Sequence, residues 1–133
     1  MKILIIDDDC VSCNIFKTFF DHHGTCDTAT NGIYGLEKYK GSLLNGNPYD
    51  LIIIDIILPD INGQEVLKVI RFEEDKRSFG GIKRAKIVLT TSLDDNENRK
   101  IAETLQGEDE IYYTKASGLN GFREKLHEIG FFV

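Results

Sequence analysis

Three short apolar runs in this chain each stop at a chemically reactive side chain. Ile3-Leu4-Ile5-Ile6 leads into Asp7-Asp8-Asp9, Leu51-Ile52-Ile53-Ile54 into Asp55, and Ile87-Val88-Leu89 into Thr90-Thr91. A fourth, more polar run, Ile111 to Thr114, ends at Lys115. Unbroken apolar runs of this length between turn signals read as strands buried on both faces, as in a parallel sheet covered by helices. Parallel strands end on a common edge. Carboxylates, a hydroxyl and an amine that lie far apart in sequence are therefore expected on one rim, where open α/β sheets place their ligand sites.

Helical patterns fill the gaps between the strands. Val11, Ile15, Phe16, Phe19 and Phe20 recur at helical spacing, closed by Gly24. A weakly alternating strand, Thr25 to Thr30, meets the turn signal Asn31-Gly32, and a second helix is predicted from about Ile33 to Leu44. The third strand, Asp50 to Asp55, precedes the loop Leu58-Pro59-Asp60-Ile61-Asn62-Gly63. After it comes a helix carrying Val66, Leu67, Val69 and Ile70, charged from Arg71 to Arg77. The fourth strand covers about Ala85 to Thr90. Beyond it Ser92, with Asp95 three residues on, reads as the cap of a helix whose apolar face is thin: Ile101, Ala102 and Leu105. The fifth strand, Glu110 to Lys115, precedes a last helix with Leu119, Phe122, Leu126 and Ile129 at three-and-four spacing. Five strand-helix units account for the whole chain. The expectation is one α/β domain over residues 1–133, a doubly wound five-stranded parallel sheet.

Composition narrows the function. With 133 residues and 41% hydrophobic content the chain can build one ordinary core. A net charge of -6 argues against nucleic acid as a direct partner, and the basic cluster Lys83-Arg84-Ala85-Lys86 reads as a solvated loop. No apolar stretch approaches a signal peptide or a membrane span, so a cytosolic protein is expected. Three cysteines, Cys10, Cys13 and Cys26, make an odd set suited to reduced thiols. His22, His23 and His127 read as surface residues.

Adjacent carboxylates at the first strand end, close to a third from strand three, repel one another unless a cation neutralises them. Magnesium suits such a place: it prefers oxygen ligands and takes only one or two protein carboxylates. With Asp7 and Asp8 on the metal, Asp55 is free to act as a nucleophile toward a phosphoryl group. Lys115 can pair first with the carboxylate and then with phosphoryl oxygens, while the Thr90 hydroxyl donates to one of them. In-line positioning and charge neutralisation are the main needs of phosphoryl transfer.

These residues, in this order and spacing, resemble the receiver domains of two-component response regulators over essentially the full length. The resemblance rests on Ile5-Ile6-Asp7-Asp8-Asp9, on Asp55-Ile56-Ile57-Leu58-Pro59-Asp60-Ile61-Asn62-Gly63, on Leu89-Thr90 and on Tyr112-Tyr113-Thr114-Lys115. It implies the flavodoxin-like strand order 2-1-3-4-5. It implies Mg2+ held by Asp8 and Asp55 directly, by Asp7 through water and by the backbone carbonyl of Ile57. It also implies phosphorylation of Asp55 from a histidine kinase or histidine phosphotransfer protein, with Thr90 and Tyr112 as the coupled switch pair. The face made by the fourth helix, fifth strand and fifth helix would meet a downstream protein, and with nothing appended after Val133 output would pass through that partner or by relay of the phosphate. Any enzymatic role is limited to promoting its own phosphorylation and dephosphorylation.

Some positions depart from the family pattern. Ala116 stands where proline usually follows the lysine, Glu108-Asp109 replace a small pair before strand five, and the loop from Glu73 to Lys86 is long. Ile57, apolar at a position that tunes phosphate loss, predicts a slow loss. Two other classes compete. Cys10-Val11-Ser12-Cys13 after a strand has the spacing of a thiol redox motif, although neither the aromatic neighbour nor the opposing proline loop of such proteins is present. A receiver fold that no longer switches, binding partners without phosphorylation, is the second. Phe131-Phe132-Val133 reads as an exposed apolar tail.

Overall fold

The computed structural model describes residues 1–77, 84–92 and 109–131. The elements in chain order are β1 (Lys2–Ile6), α1 (Cys10–Phe19), β2 (Thr25–Ala29), α2 (Gly32–Leu44), β3 (Leu51–Asp55), α3 (Gly63–Lys76), β4 (Lys86–Thr91), β5 (Glu110–Thr114), a 3-10 turn (Lys115–Ser117) and α4 (Gly118–Glu128). The sheet order is β2-β1-β3-β4-β5, and every strand pair is parallel. This is the five-stranded doubly wound arrangement that the apolar runs predict. The predicted helix after Ser92, with Asp95, Ile101, Ala102 and Leu105, lies outside the described residues, as do Lys83, Glu108, Phe132 and Val133.

Alternation along the strands sends successive side chains to opposite faces, so the sheet divides the core in two. On one side Leu4, Ile6, Ile52, Ile54, Ile87 and Leu89 pack against Tyr39, Val66 and Ile70 of α2 and α3. On the other, Ile3, Ile5, Leu51, Ile53 and Val88 pack against Cys13, Phe16 and Phe20 from the α1 region and Phe122 and Leu126 of α4. Phe122 centres an aromatic group, its ring 5.0 Å from Phe16, 5.2 Å from Phe19 and 5.1 Å from Tyr113.

Several sequence expectations need correction. Val11 and Ile15, predicted on the buried face of the first helix, are exposed, and so is Leu119. The stripe α1 buries is narrower, because the sheet covers only one side of it. Phe131, expected in an exposed tail, is half-buried against the α1–α4 cluster, held where its amide donates to Leu126 O at 2.9 Å. Lys115 opens the 3-10 turn instead of ending β5. The basic cluster is not simply solvated: Arg84 pairs with Asp75 and Asp109, Ala85 is buried, and Lys86 pairs with Asp109.

Candidate functional site

The strand ends bring their reactive groups together because the register is fixed by apolar pairs beneath them. Ile6 lies beside Ile54, and Asp55 beside Thr90. Asp7 leaves β1 with its amide donating to Ala29 O at 3.0 Å, which turns the chain over the sheet edge. Asp9 then caps α1, accepting from Val11 N at 3.0 Å and from the Ser12 hydroxyl at 3.0 Å. These bonds hold the Asp9 carboxyl below the usual carboxylate range, the Ser12 contribution being the larger.

Beyond Asp55 the chain is tied down at each step. Ile57 N donates to Asp55 Oδ1 at 2.9 Å, and Gly63 N to Ile56 O at 2.8 Å. Asn62 caps α3 by accepting from Glu65 N at 2.9 Å. A Cβ on Gly63 would stand 2.3 Å from Asp55 O, so only glycine allows α3 to start this close to the end of β3. Asp60 reaches across to the neighbouring helix of the same layer, its two carboxylate oxygens accepting from Gly32 N and Ile33 N at 2.8 Å each, at the N-terminus of α2. Anions are favoured there by the unpaired amides of the first turn.

Lys115 comes from the far side of the sheet. Its Nζ donates to Asp7 Oδ2 at 2.7 Å, Asp55 Oδ2 at 3.1 Å and the Ser12 hydroxyl at 3.1 Å. The chain gets there over trans peptide bonds, Lys115–Ala116 included. After the 3-10 turn Gly118, at φ 73°, redirects the backbone into α4, a conformation that favours glycine.

Three carboxylates, those of Asp7, Asp8 and Asp55, offer oxygens all within 4.8 Å of one another. Asp7 and Asp55 are buried, and Asp8 is exposed. Burial pushes the Asp7 carboxyl up by more than Lys115 and the Asp9 amide draw it down, and Asp55 adds to the rise. Burial alone would lower the Lys115 ammonium, but its bonds to Asp7 and the charges of Asp55 and Asp7 outweigh that and raise it. The two shifts have different sources: burial dominates at Asp7, and the neighbouring carboxylates dominate at Lys115.

Thr90 is fully buried, and its hydroxyl is without a hydrogen-bond partner among the described residues. It lies level with Asp55 on one side and Tyr113 on the other. Tyr112 is level with Leu89 and packs half-buried on the opposite core, so the predicted pair sits on neighbouring strands but on opposite faces. Ile57 is 55% exposed at the mouth of the site. Cys10 is exposed and Cys13 buried. The Cys13 thiol is pushed up to about 11, mainly by burial, the reverse of the activation a redox pair needs. Sequence reasoning missed Ser12 and Asp60. The one available sign was position, since Ser12 lies three residues after the Asp9 cap and so on the turn facing the rim.

An acidic rim with a lysine, at the strand ends of a 2-1-3-4-5 parallel sheet, defines a doubly wound α/β protein with its polar groups gathered at the C-terminal edge. The chain belongs to the response regulator receiver domain family, whose pattern it matches over residues 3–126. It is 31% identical over 116 residues to the regulatory protein VanRB of Enterococcus faecalis, a match covering 86% of this chain and 46% of that protein. The chain thus spans about half the length of that relative. A two-component response regulator from Clostridium difficile superposes with a TM-score of 0.71 at 30% identity, over 97% of this chain and 94% of that one. The response regulator TrrA of Thermotoga maritima does so with a TM-score of 0.71 at 29% identity, over 96% and 97%. Among the described residues no helix is long and apolar enough to cross a membrane.

Proposed function

We propose that this chain acts as one receiver unit in the cytosol, accepting a phosphoryl group on Asp55 from the phosphohistidine of a histidine kinase or histidine phosphotransfer protein. The observation that carries the reading is the charge at the rim: three carboxylates lie within 4.8 Å of one another, and among the described residues one ammonium, that of Lys115, pairs with two of them, Asp7 and Asp55. Carboxylates this close do not all ionise comfortably without a further cation. The donors are oxygens, the type magnesium selects. Asp8, Asp55 and the Ile57 carbonyl are the residues that would hold it, with Asp7 acting through water. Bound there, the ion supplies positive charge for the acid cluster and for the incoming phosphoryl oxygens. TrrA, a relative at 29% identity, was crystallised with Mg2+ and BeF, which supports the same ion here.

The chain's own groups supply the rest. A carboxylate oxygen of Asp55 attacks phosphorus, the P–N bond of the donor breaks with its electron pair going to the departing imidazole nitrogen, and that nitrogen takes a proton from water. Lys115 passes from the Asp55 carboxylate to a phosphoryl oxygen. The Thr90 hydroxyl, buried beside Asp55 and without a partner among the described residues, gains one in the phosphoryl group. Drawing Thr90 toward Asp55 shifts the neighbouring β5, which carries Tyr112 on its other face, and a downstream protein reads that change.

Incubation with acetyl phosphate, with and without magnesium, on the native chain and on Asp55→Ala tests this by intact mass. The expected result is a magnesium-dependent gain of one phosphoryl group that the variant lacks. No gain in the native chain would make it a binding module that does not switch.

A further inference from the structure

The Lys115 ammonium is well partnered, but its long stem borders open space. It opens a 3-10 turn whose other residues, Ala116 and Ser117, are exposed. A cavity of about 170 Å3, walled by Ile15, Phe16, Tyr113 and Leu119, opens directly beside it. A lysine carries nearly the largest rotamer entropy of any side chain, so free space next to the stem weakens its placement. Two of its three ammonium protons go to Asp7 and Asp55. In the proposed reaction the Asp55 partner is lost to the phosphoryl group, and Asp7 is shared with the metal site.

The third proton goes to Ser12, which is 8% exposed. Its hydroxyl accepts from Lys115 at 3.1 Å and donates to Asp9 Oδ2 at 3.0 Å. Asp9 is fixed in turn as the cap of α1. A hydroxyl that donates to a carboxylate is a better acceptor for a cation, because the two bonds polarise one another. Among the described residues that Lys115 bonds, Ser12 alone takes part in neither phosphoryl transfer nor the metal site.

We infer that Ser12 is the positioning residue for Lys115: the relay Asp9–Ser12–Lys115 anchors the ammonium to the start of α1, so it stays over Asp55 while the acids change partners. This rests on the phosphoacceptor reading above. Ser12 itself touches no reacting atom. A position in a helix tolerates alanine well, so Ser12→Ala is expected to fold.

A double-mutant cycle tests the inference through the magnesium-dependent rate of phosphorylation by acetyl phosphate. Ser12→Ala is expected to slow the native chain about tenfold, the scale of one hydrogen bond to a charged group, and Ser12→Thr, which keeps the hydroxyl, to restore most of the rate. Placed on Lys115→Ala, Ser12→Ala should change nothing further, because the group it positions is already gone. An equal slowing on both backgrounds would overturn the inference and assign Ser12 to the α1 cap alone; an unchanged rate on the native background would also overturn it. A second readout needs no phosphorylation. The ammonium protons of Lys115, observed by 1H–15N correlation at low temperature, should exchange faster with water in Ser12→Ala and not in Ser12→Thr. Unchanged exchange would refute the positioning role. Native chain that gains no phosphoryl group, with exchange altered as expected, would overturn the phosphoacceptor reading and leave the lysine anchor standing.

Discussion

The two ends of the sheet hold similar charged groups and resolve them in opposite ways. At the N-terminal end, Arg71 of α3 donates to Glu74 at 2.7 Å, Glu110 at 2.7 Å, Ala85 O at 2.8 Å and Asp109 O at 3.2 Å. Glu74 also accepts from Ala85 N at 2.7 Å. Burial alone would lower the Arg71 guanidinium, but the bonds and charges of Glu74 and Glu110 outweigh it and raise it. At the C-terminal end three carboxylates face one ammonium among the described residues, and burial holds the Asp7 carboxyl above its ordinary range. The first cluster is saturated by the chain itself. The second has capacity left for an ion and an anion from outside. Buried charge that is fully partnered belongs to the scaffold, and buried charge left in excess marks the place where a ligand completes the structure.

Removing a partner from the saturated end should have the largest effect. Arg71→Ala leaves Glu74 buried without its cation, a loss that typically costs about 3–5 kcal/mol. Urea unfolding of the variant should show it as a lower midpoint. A change under about 1 kcal/mol, the scale of an exposed pair, would show that the network is open to water and undo the contrast.

The opposite sign is expected at the rim. Folding raises the Asp7 carboxyl above its unfolded value near 3.8. The stability linked to the protonated form is therefore complete below that value and lost as pH climbs through the folded one. At neutral pH the native chain lacks it, and Asp7→Asn, neutral at every pH, recovers it. The variant should be more stable without metal by roughly 1 kcal/mol, as when a local charge conflict is removed at a functional site. It should also lose the stabilisation by magnesium, about 2.7 kcal/mol at a hundred times the dissociation constant. Thermal melts with and without magnesium check both. A destabilised Asp7→Asn would mean that the Lys115 pair outweighs the repulsion.

A smaller effect is expected from Thr90→Val. The hydroxyl has no partner among the described residues, so an apolar group of the same shape should leave stability within about 1 kcal/mol of native or raise it. Phosphorylation should nevertheless slow. If the variant loses stability like a broken hydrogen bond, the hydroxyl is already engaged before phosphate arrives.

The acidic rim was legible because its residues announce themselves by type and by position at the ends of apolar runs. Asp7, Asp8, Asp55 and Lys115 meet where parallel strands must end together. Ser12 and Asp60 were not legible: each works through a bond across 103 or 28 positions, and nothing in a single sequence names a distant partner for a small polar side chain. Arg71 was hidden at the start of the charged run Arg71 to Arg77, where no one charge stands out from its neighbours. Val11 and Ile15 were misplaced for the reverse reason. Helical spacing shows which residues share a stripe but not how wide a stripe the sheet covers, and isolated apolar side chains in water are ordinary.

The least costly perturbation separates the receiver from its redox rival at the same helix start. Cys10 is exposed and Cys13 is 6% exposed, its thiol weakly tied to Asp7 O at 3.4 Å and pushed up to about 11 by burial before the charges of Asp7 and Cys10 add to it. Thiolates react and thiols do not. At pH 8 a disulfide reagent should therefore modify Cys10 quickly, while Cys13 stays unmodified until urea unfolds the chain, at which point the two become alike. Blocking Cys10 should leave the fold's stability within about 0.5 kcal/mol, the usual range for exposed positions. Fast reaction of Cys13 in the folded chain, or a disulfide between the two, would put a working thiol pair beside the acidic rim and break the assignment of that helix start to anchoring the lysine.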